Sequence, residues 1–230
     1  MTRIVIAGGH GKIALVLEGH PRRDERRLLS LRGDSVAGFI RNPAHVADLE
    51  AAGAEPLVVD LENASVEEVA AHLRGADAVV FAAGAGPGSG AARKETVDRD
   101  AAILLADAAE AAKVARYVMI SSMGADAEAP DDAGDPVFVA YLRAKGAADD
   151  DVRARTALES TIVRPGHLTN DPGTGQVSIA DETGHGNIPR EDVATVLLAV
   201  LDTPGSAGQT FEVISGDTPI TEAVTTSACG

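Results

Sequence analysis

Tyr141 and Lys145 stand four residues apart in the segment "YLRAK", so a helix would place both side chains on one face. A nearby ammonium group favours phenolate over phenol, which makes a tyrosine a usable acid or base for a carbonyl or an alcohol. An ordinary exposed helix face is the alternative interpretation. The spacing predicts that Tyr141 exchanges a proton with a substrate.

Two serines upstream could supply a further polar group. Ser121 and Ser122 follow the apolar run "YVMI" and lie at the predicted carboxyl end of a buried strand, the edge where ligands bind in open α/β sheets. A hydroxyl there can hydrogen-bond a substrate oxygen, although a turn cap is the alternative and is preferred for Ser121. Ser122 is therefore predicted to be catalytic together with Tyr141 and Lys145.

The segment "IAGGHGKIA", residues 6–14, follows the first apolar run and precedes a predicted helix. Gly9-x-Gly11-x-x-Ala14 and Gly8-x-x-Gly11-x-x-Ala14 fit two spacings of dinucleotide-binding loops. Glycines permit a tight turn and close approach of a pyrophosphate, which the following helix attracts with its free N–H groups and positive end. A glycine turn without a ligand is the alternative.

The second predicted strand ends in "GFIRNP", which bears on the choice of cofactor. An acid at this point bonds the ribose hydroxyls of NAD, whereas an arginine pairs with the 2′-phosphate of NADP. Arg41 occupies the position, and the next acid, Asp48, comes later in the chain. The sequence favours NADP, with NAD possible and a solvent-facing arginine as the alternative.

Apolar, β-branched runs alternate with Ala- and Leu-rich stretches, the pattern of a parallel sheet whose strands are joined by helices. This predicts an α/β fold with a doubly wound, mostly parallel sheet of Rossmann type and helices on both faces. The predicted strands are Arg3–Ala7, Val36–Ile40, Glu55–Val59, Ala78–Ala82, Tyr117–Ile120, Ser160–Val163 and Gln209–Ile214, and the predicted helices are Asn42–Ala52, Ser65–Arg74, Asp98–Lys113, Phe138–Thr156 and Arg190–Leu201.

The length of 230 residues fits one domain. We expect a single NAD(P)-binding Rossmann domain over residues 1–223, with a small C-terminal substrate region at about 166–223 and a flexible tail at 224–230. An Arg-rich insertion at residues 19–32 interrupts the first crossover, and the sequence provides no functional account of it.

The formal net charge of −15 argues against nucleic acids and anionic membranes as partners. No apolar run reaches the length of a membrane span or a signal peptide, and Cys229 is the only cysteine, so we expect a cytoplasmic protein without an intramolecular disulfide. The six histidines show no paired metal spacing, so no metal site is predicted. We expect a small-molecule substrate and a monomer or homodimer.

From Arg3 to about Thr221 the chain resembles the atypical short-chain dehydrogenase/reductase family, in particular its small, single-domain, NmrA-like, NAD(P)H-binding branch. The resemblance is carried by "GGHGKIA", "RNP", "VVDLE", "VVFAAGAG", "ISSMGA", "YLRAK", "TIVRPGHLTNDPGTG" and "IPREDVA". It implies that the cofactor contacts the first two of these motifs through Gly8, Gly9, His10, Gly11, Lys12, Ile13, Arg41 and Asn42.

The same resemblance implies roles for residues in the later motifs. Asp60 and Leu61 would flank the adenine, and Ala82, Ala83 and Gly84 would line the ribose side. Lys145 would hold the nicotinamide ribose while Tyr141 exchanges a proton. The segment from Arg164 through Pro165 and Gly166, with Leu168, would close over the nicotinamide.

Because the chain keeps Ser, Tyr and Lys, the sequence favours an NADP-dependent oxidoreductase that passes a hydride to a small carbonyl, quinone or flavin-like acceptor. A non-catalytic dinucleotide sensor or interaction protein is the alternative, and an epimerase or dehydratase is less favoured. The turn-rich segments "TNDPGTGQVS" and "ETGHGN" are predicted to lie near the mouth of the pocket, either as a substrate cover or as simple turns.

Overall fold

A computed structural model describes residues 2–18, 28–86 and 88–228 of the chain. These residues build a nine-stranded sheet and a separate two-stranded one. The large sheet contains β1 Arg3–Ala7, β2 Ser35–Ile40, β3 Glu55–Val58, β4 Ala78–Phe81, β5 Arg116–Ile120, β6 Glu159–Pro165, β8 Gln176–Ala180, β10 Thr210–Ser215 and β11 Thr218–Pro219, and the small sheet pairs β7 His167–Thr169 with β9 Asn187–Pro189.

The strand order in the large sheet is β3-β2-β1-β4-β5-β6-β10-β8-β11. The first seven strands are parallel, whereas β8 runs antiparallel to both β10 and β11. The order reverses beside β1, between β2 and β4, which is the switch point where open α/β sheets bind ligands. The predicted doubly wound, mostly parallel α/β fold is confirmed.

The helices cover both faces of the large sheet. The described helices are α1 Lys12–Glu18, α2 Leu28–Leu31, α3 Val46–Ala52, α4 Val66–Leu73, α5 Ala91–Arg93, α6 Ala101–Ala112, α7 Pro136–Ala154, α8 Arg190–Leu201 and α9 Ile220–Ser227. Side chains of β1 alternate between two apolar clusters: Ile4 and Ile6 pack in one with α1 and α8, whereas Val5 and Ala7 pack in the other with α4 and α6.

Local signals explain where several helices begin. The Ser65 hydroxyl accepts a hydrogen bond from the Glu68 amide at the start of α4, and the Asp135 carboxylate accepts from two amides at the start of α7. The predicted helix Asn42–Ala52 opens with a 3₁₀ turn at Pro43–His45, and α5 continues into a π-helical segment, Lys94–Asp100, that leads into α6. No helix within the described residues combines the length and apolarity needed to cross a membrane.

The C-terminal segment differs from the expectation of a flexible tail at 224–230. Residues 220–227 form α9, Val224 is buried, and the Gln209 side-chain amide donates to the Ser227 carbonyl over 2.7 Å. The apolar residues Ile220, Ala223 and Val224 give this helix a buried face that the small, polar appearance of the segment conceals. The prediction is wrong for residues 224–228, and residues 229–230 lie outside the described part, as do residues 19–27 of the Arg-rich insertion.

Candidate functional site

The ends of β1, β2 and β4 enclose a cleft of about 340 Å³ at the switch point of the sheet. Its floor is backbone and its rim carries charged and aromatic side chains. The structure thereby brings together eight of the predicted cofactor residues, and the full lining is Gly8, His10, Gly11, Phe39, Ile40, Arg41, Asn42, His45, Ala82, Ala83 and Gly84.

Two glycines of the first loop are required by the geometry of the cleft. Gly8 has a φ of +81°, and a Cβ there would lie 2.7 Å from the Cα of Ala83. The Gly11 amide donates to the Gly8 carbonyl over 2.8 Å, which closes the turn before α1, and a Cβ at Gly11 would lie only 3.0 Å from the same oxygen. A side chain at Gly8 would collide with the Ala83 backbone, so the two loops could not approach each other this closely.

Other predicted cofactor residues lie beside the cleft and do not line it. Gly9 is buried against Gly38, Ile13 belongs to the apolar core, and the Lys12 ammonium contacts the Asn170 side-chain oxygen at 3.4 Å. Asp60 accepts hydrogen bonds from the Glu62 amide and the Asn63 side chain, so its carboxylate organises a turn. Leu61 is half-buried and packs on the core beneath that turn.

Behind the glycine loop lies a carboxyl group that the sequence did not single out. Glu18 is fully buried, and neither of its carboxyl oxygens has a hydrogen-bond partner among the described residues. One oxygen would lie 2.9 Å from a Cβ at Gly9 and 2.7 Å from one at Gly38. Burial raises the pKa of Glu18 to about 9, so the carboxyl group is neutral at pH 7.

Arg41 forms an ion pair at the rim of the cleft. Its guanidinium lies 2.6 Å from the Glu62 carboxylate, which also accepts hydrogen bonds from Arg93 at 2.8 Å and from the Thr96 hydroxyl at 2.7 Å. Burial alone would raise the pKa of Glu62, but the hydrogen bonds and positive charges of its partners lower it. Two guanidinium groups therefore share one carboxylate, and the group of three keeps a net positive charge.

The histidine of the glycine loop also has close neighbours. The His10 ring stacks on His45 with centroids 3.6 Å apart and an angle of 9° between the planes, and His10 Nε2 lies 2.8 Å from the Asp48 carboxylate. This arrangement fixes His10 at the mouth of the cleft. Asn42, by contrast, uses its side-chain oxygen to accept from the Ala44 amide, which caps the 3₁₀ turn.

A second cavity of about 620 Å³ opens at the carboxyl ends of β5 and β6. It brings Ser122 and Tyr141 together with Pro165, Gly166 and Leu168, all predicted site residues. The Ser122 hydroxyl donates to the Met123 carbonyl over 3.2 Å, and Tyr141 is partly exposed to the cavity. Since β4 and β5 are neighbours, this cavity lies next to the first cleft, at the ends of β1, β2 and β4. We call that first cleft the dinucleotide cleft, after the motif of its glycine loop.

Lys145 does not line this cavity. Its side chain is buried, and its ammonium group donates to the Ile120 carbonyl over 3.1 Å and lies 3.5 Å from the Asp98 carboxylate. Asp98, also buried, accepts a hydrogen bond from the Ala85 amide next to Gly84. The ammonium group that the structure places over the Tyr141 ring belongs to Lys94, 5.2 Å from the ring centroid.

The predicted closing segment divides between two sides of β6. Pro165 and Gly166 face the cavity, whereas the Arg164 guanidinium pairs with the buried Asp149 carboxylate at 2.8 Å. Burial raises the pKa of Asp149, and the hydrogen bond and charge of Arg164 oppose that effect. Arg164 therefore anchors β6 to α7 and does not reach over the cavity.

A family model described as NAD(P)H-binding matches residues 8–204, which include both cavities. The chain belongs to this NAD(P)H-binding family. The resemblance predicted from the glycine loop and the later motifs is thereby confirmed, although the model does not distinguish NADP from NAD.

Relatives of this NAD(P)H-binding protein carry differing names. The chain is 37% identical over 227 residues to a Bacillus subtilis protein named an uncharacterized sugar epimerase, YhfK. The matched region covers 96% of this chain and 98% of that protein. A solved structure from Bacillus halodurans, described as a candidate NAD-dependent epimerase/dehydratase, superimposes with a TM-score of 0.84 at 35% identity, covering 97% and 99%. The Lactococcus lactis oxidoreductase ylbE superimposes at 0.79 with 27% identity, covering 98% and 96%.

The first cleft fits the family's dinucleotide on structural grounds. The close approach of Gly8 to Ala83 leaves an all-backbone floor, which a pyrophosphate can approach, and Arg41 at the rim supplies positive charge. Gly84 and the stacked ring of His45 add apolar and aromatic surface for the nucleoside. The geometry of this cleft is therefore compatible with the dinucleotide that the family binds.

Proposed function

We propose that the protein is an NADP(H)-dependent oxidoreductase that reduces a small carbonyl, quinone or flavin-like acceptor. The observation that carries the proposal is the shared cavity of Ser122 and Tyr141, which adjoins the dinucleotide cleft across the neighbouring strands β4 and β5. A substrate in the second cavity would meet a proton donor on one side and the cofactor on the other.

Three side chains, those of Ser122, Tyr141 and Lys94, assist the transfer of a hydride between cofactor and substrate. The bound dinucleotide supplies or accepts a hydride. The hydroxyls of Ser122 and Tyr141 hydrogen-bond the substrate oxygen, and Tyr141 donates its proton to that oxygen as the alkoxide forms. Lys94, over the Tyr141 ring, stabilises the phenolate left behind. Solvent then returns a proton to Tyr141 through the open side of the cavity.

The preference for NADP is supported by the positive charge around Glu62. Arg41 and Arg93 share this carboxylate, and Arg41 lines the cleft on the side of β2. A 2′-phosphate would compete with Glu62 for Arg41 and gain a charge-assisted contact. NADH has no group for this contact, so the same arrangement gives it no advantage.

The C-terminal region, about 166–223, supports the proposal as a substrate region because residues 166–168, 185–187 and Arg190 line the second cavity. We further infer that the substrate is a small molecule, and that the protein acts in the cytoplasm as a monomer or homodimer.

Steady-state NADPH oxidation against a panel of carbonyls, quinones and flavins tests the proposal. With carbonyl acceptors, Tyr141→Phe should lower kcat by about 100-fold or more, because the proton donor is lost while the ring remains. Tyr141→Phe should still bind NADPH, as fluorescence titration would show. Val137→Ala, an exposed position on the same helix that does not line the cavity, serves as control. Full activity of Tyr141→Phe on carbonyls would contradict the role of Tyr141.

One observation favours a second function, that of a non-catalytic dinucleotide sensor. The Lys145 ammonium is buried against Asp98, and Lys145 is not among the residues that line the second cavity. A sensor would bind NADP⁺ and NADPH tightly, turn over no acceptor, and capture a partner in one redox state. Absence of turnover on the whole panel, with tight binding of both forms, would favour this function over the first.

A further inference from the structure

We propose that the substrate of the second cavity is an organic anion, an apolar body that carries a carboxylate. This proposal rests on the proposed function, since it assigns the substrate class of the same site. Apart from Tyr141, the ionisable side chains in the cavity lining are His167, His185 and Arg190, and no Asp or Glu belongs to the described lining. The chain as a whole has 35 acids and 20 lysines and arginines. The cavity lining, which has basic side chains and no acids, is therefore the reverse of the chain's overall excess of acids.

Arg190 is a fixed positive charge at the cavity wall. Its guanidinium donates to the carbonyls of Leu168 and Thr169 at 3.2 and 3.0 Å, and to the Asn170 side-chain oxygen at 2.9 Å. All three acceptors are uncharged, and no carboxylate pairs with Arg190 within the described parts of the chain. The hydrogen bonds hold the guanidinium in place while its charge stays uncompensated and available to an anion.

The two acids that follow Arg190 in the chain, and the buried acid on α7, are already bound to other groups. Glu191 accepts from the Gly173 amide over 2.7 Å, and Asp192 accepts from the amides of Thr174 and Gly175 over 2.9 Å each. These contacts direct both carboxylates toward the loop before β8. Asp149, behind β6, pairs with Arg164. Glu191, Asp192 and Asp149 therefore have partners other than Arg190, whose positive charge they leave unpaired.

The two histidines are placed at one wall by a backbone crossing. The His167 amide donates to the Gly186 carbonyl over 2.8 Å, and a Cβ at Gly166 would collide with that same carbonyl oxygen. The β7–β9 pairing continues this contact, so His167 and His185 flank it, both exposed. Each imidazole can present an N–H donor to a carboxylate oxygen.

The remaining surface of the cavity suits an apolar body. Met123, Phe138, Leu142, Pro165 and Leu168 all contribute to the lining, and the Phe138 side chain is 45% exposed. Burying such a surface under a ligand is favourable, whereas burying the guanidinium without an anion is not. A carboxylate attached to an aromatic or branched hydrocarbon satisfies both requirements.

Two probes that differ in charge test the proposal without any need for turnover. Binding of 1-naphthoate and its neutral isostere 1-naphthamide is measured by calorimetry on protein saturated with NADP⁺ or NAD⁺, so that the dinucleotide cleft is filled. We expect 1-naphthoate to bind about tenfold more tightly than 1-naphthamide. The double variant His167→Gln/His185→Gln should reduce this ratio several-fold, and Arg190→Gln should reduce it further. His72→Gln, on α4 away from the cavity, serves as the matched control.

The outcomes separate this proposal from the oxidoreductase assignment. Equal affinity for the two probes, or a preference for 1-naphthoate that survives all three substitutions, would overturn the anionic substrate class whatever the enzymatic activity. A preference that the substitutions abolish, in a protein without turnover, would support the ligand class and contradict the oxidoreductase. Far-UV circular dichroism and cofactor binding of each variant show that loss of the ratio does not reflect unfolding.

Discussion

At the scale of single residues, the Arg41–Glu62–Arg93 group controls how much positive charge the rim of the dinucleotide cleft offers. Arg41→Ala should weaken NADPH binding about tenfold, since a partly exposed, charge-assisted contact is worth roughly 1.5 kcal/mol or somewhat more. NADH binding should change little. Titration of wild type and Arg41→Ala with each cofactor, at one fixed salt concentration, gives the loss of affinity for NADPH and for NADH. Subtracting the second loss from the first cancels any general destabilisation of the protein.

The control is Arg74→Ala, which removes an exposed arginine. Equal losses of affinity for both cofactors in Arg41→Ala would make Arg41 a structural residue.

Glu18 gives a second residue-scale prediction, on the pH dependence of stability. Its pKa is raised from 4.5 to about 9 in the folded protein, so the folded state holds a proton that the unfolded state releases between these values. This contribution to stability is full below pH 4.5 and decreases as the pH rises toward 9. Glu18→Gln, neutral at every pH, should therefore gain in stability over the wild type between about pH 5 and pH 8.

Urea denaturation of Glu18→Gln and the wild type at pH 5 and at pH 8 measures this gain in stability. Glu128→Gln, which removes an exposed carboxylate, is the matched control and should show a smaller dependence. A constant difference between Glu18→Gln and wild type across the pH range would mean that Glu18 is ionised in the folded protein.

At the scale of elements, the π-helical segment Lys94–Asp100 positions Asp98 against α7, where it meets Lys145. Asp98→Asn leaves a buried ammonium group without its counter-charge and should destabilise the protein by about 3–5 kcal/mol. Adding Lys145→Met to this variant should recover much of the loss, because both members of the pair are then uncharged. Urea denaturation of the two single variants and the double variant measures this coupling, and purely additive effects would contradict the pair.

Helix α9 contributes to stability through its buried face. Val224 is 1% exposed, and a buried valine side chain stabilises a protein by about 1.5–3 kcal/mol. Removing residues 224–230 should therefore lower Tm by roughly 3–12 °C, since 1 kcal/mol shifts Tm by about 2–4 °C in a chain of this size. Thr226→Ala, on the exposed face of the same helix, should leave Tm nearly unchanged. An unchanged Tm after truncation would restore the flexible-tail interpretation.

The elements also show which signals the sequence contains. Continuous apolar runs identify β1, β2 and β4 to within about one residue, because strands buried on both faces must be apolar throughout. The short strands β7, β9 and β11 have no such run. Their pairing depends on distant segments, as in the contact of Gly166 with Gly186, which a local pattern cannot reveal.

At the scale of the whole molecule, the sequence predicts the position of candidate-site residues that belong to a motif, and it gives no signal for those that stand alone. The glycine loop, Ser122 and Tyr141 lie where their spacing and strand position place them. Lys145 is on the predicted helix, yet the partner that withdraws it from the cavity, Asp98, lies 47 positions away in the chain. Isolated acids such as Glu18 and Glu62 have no sequence pattern, and only the packing of distant elements gives them a role.

We expect a substrate in the second cavity to receive a hydride from a cofactor bound in the cleft at the ends of β1, β2 and β4. Incubation of the protein and a panel of small aldehydes and ketones with NADPH that carries deuterium at its reactive ring carbon would reveal this transfer. The expected product is an alcohol with one deuterium on the former carbonyl carbon, formed at a much lower rate by Tyr141→Phe. If NADPH binds and no product acquires deuterium, the protein does not transfer hydride to carbonyls, and a sensor, or an epimerase that takes a hydride from its substrate and returns it to that same substrate, would explain the fold.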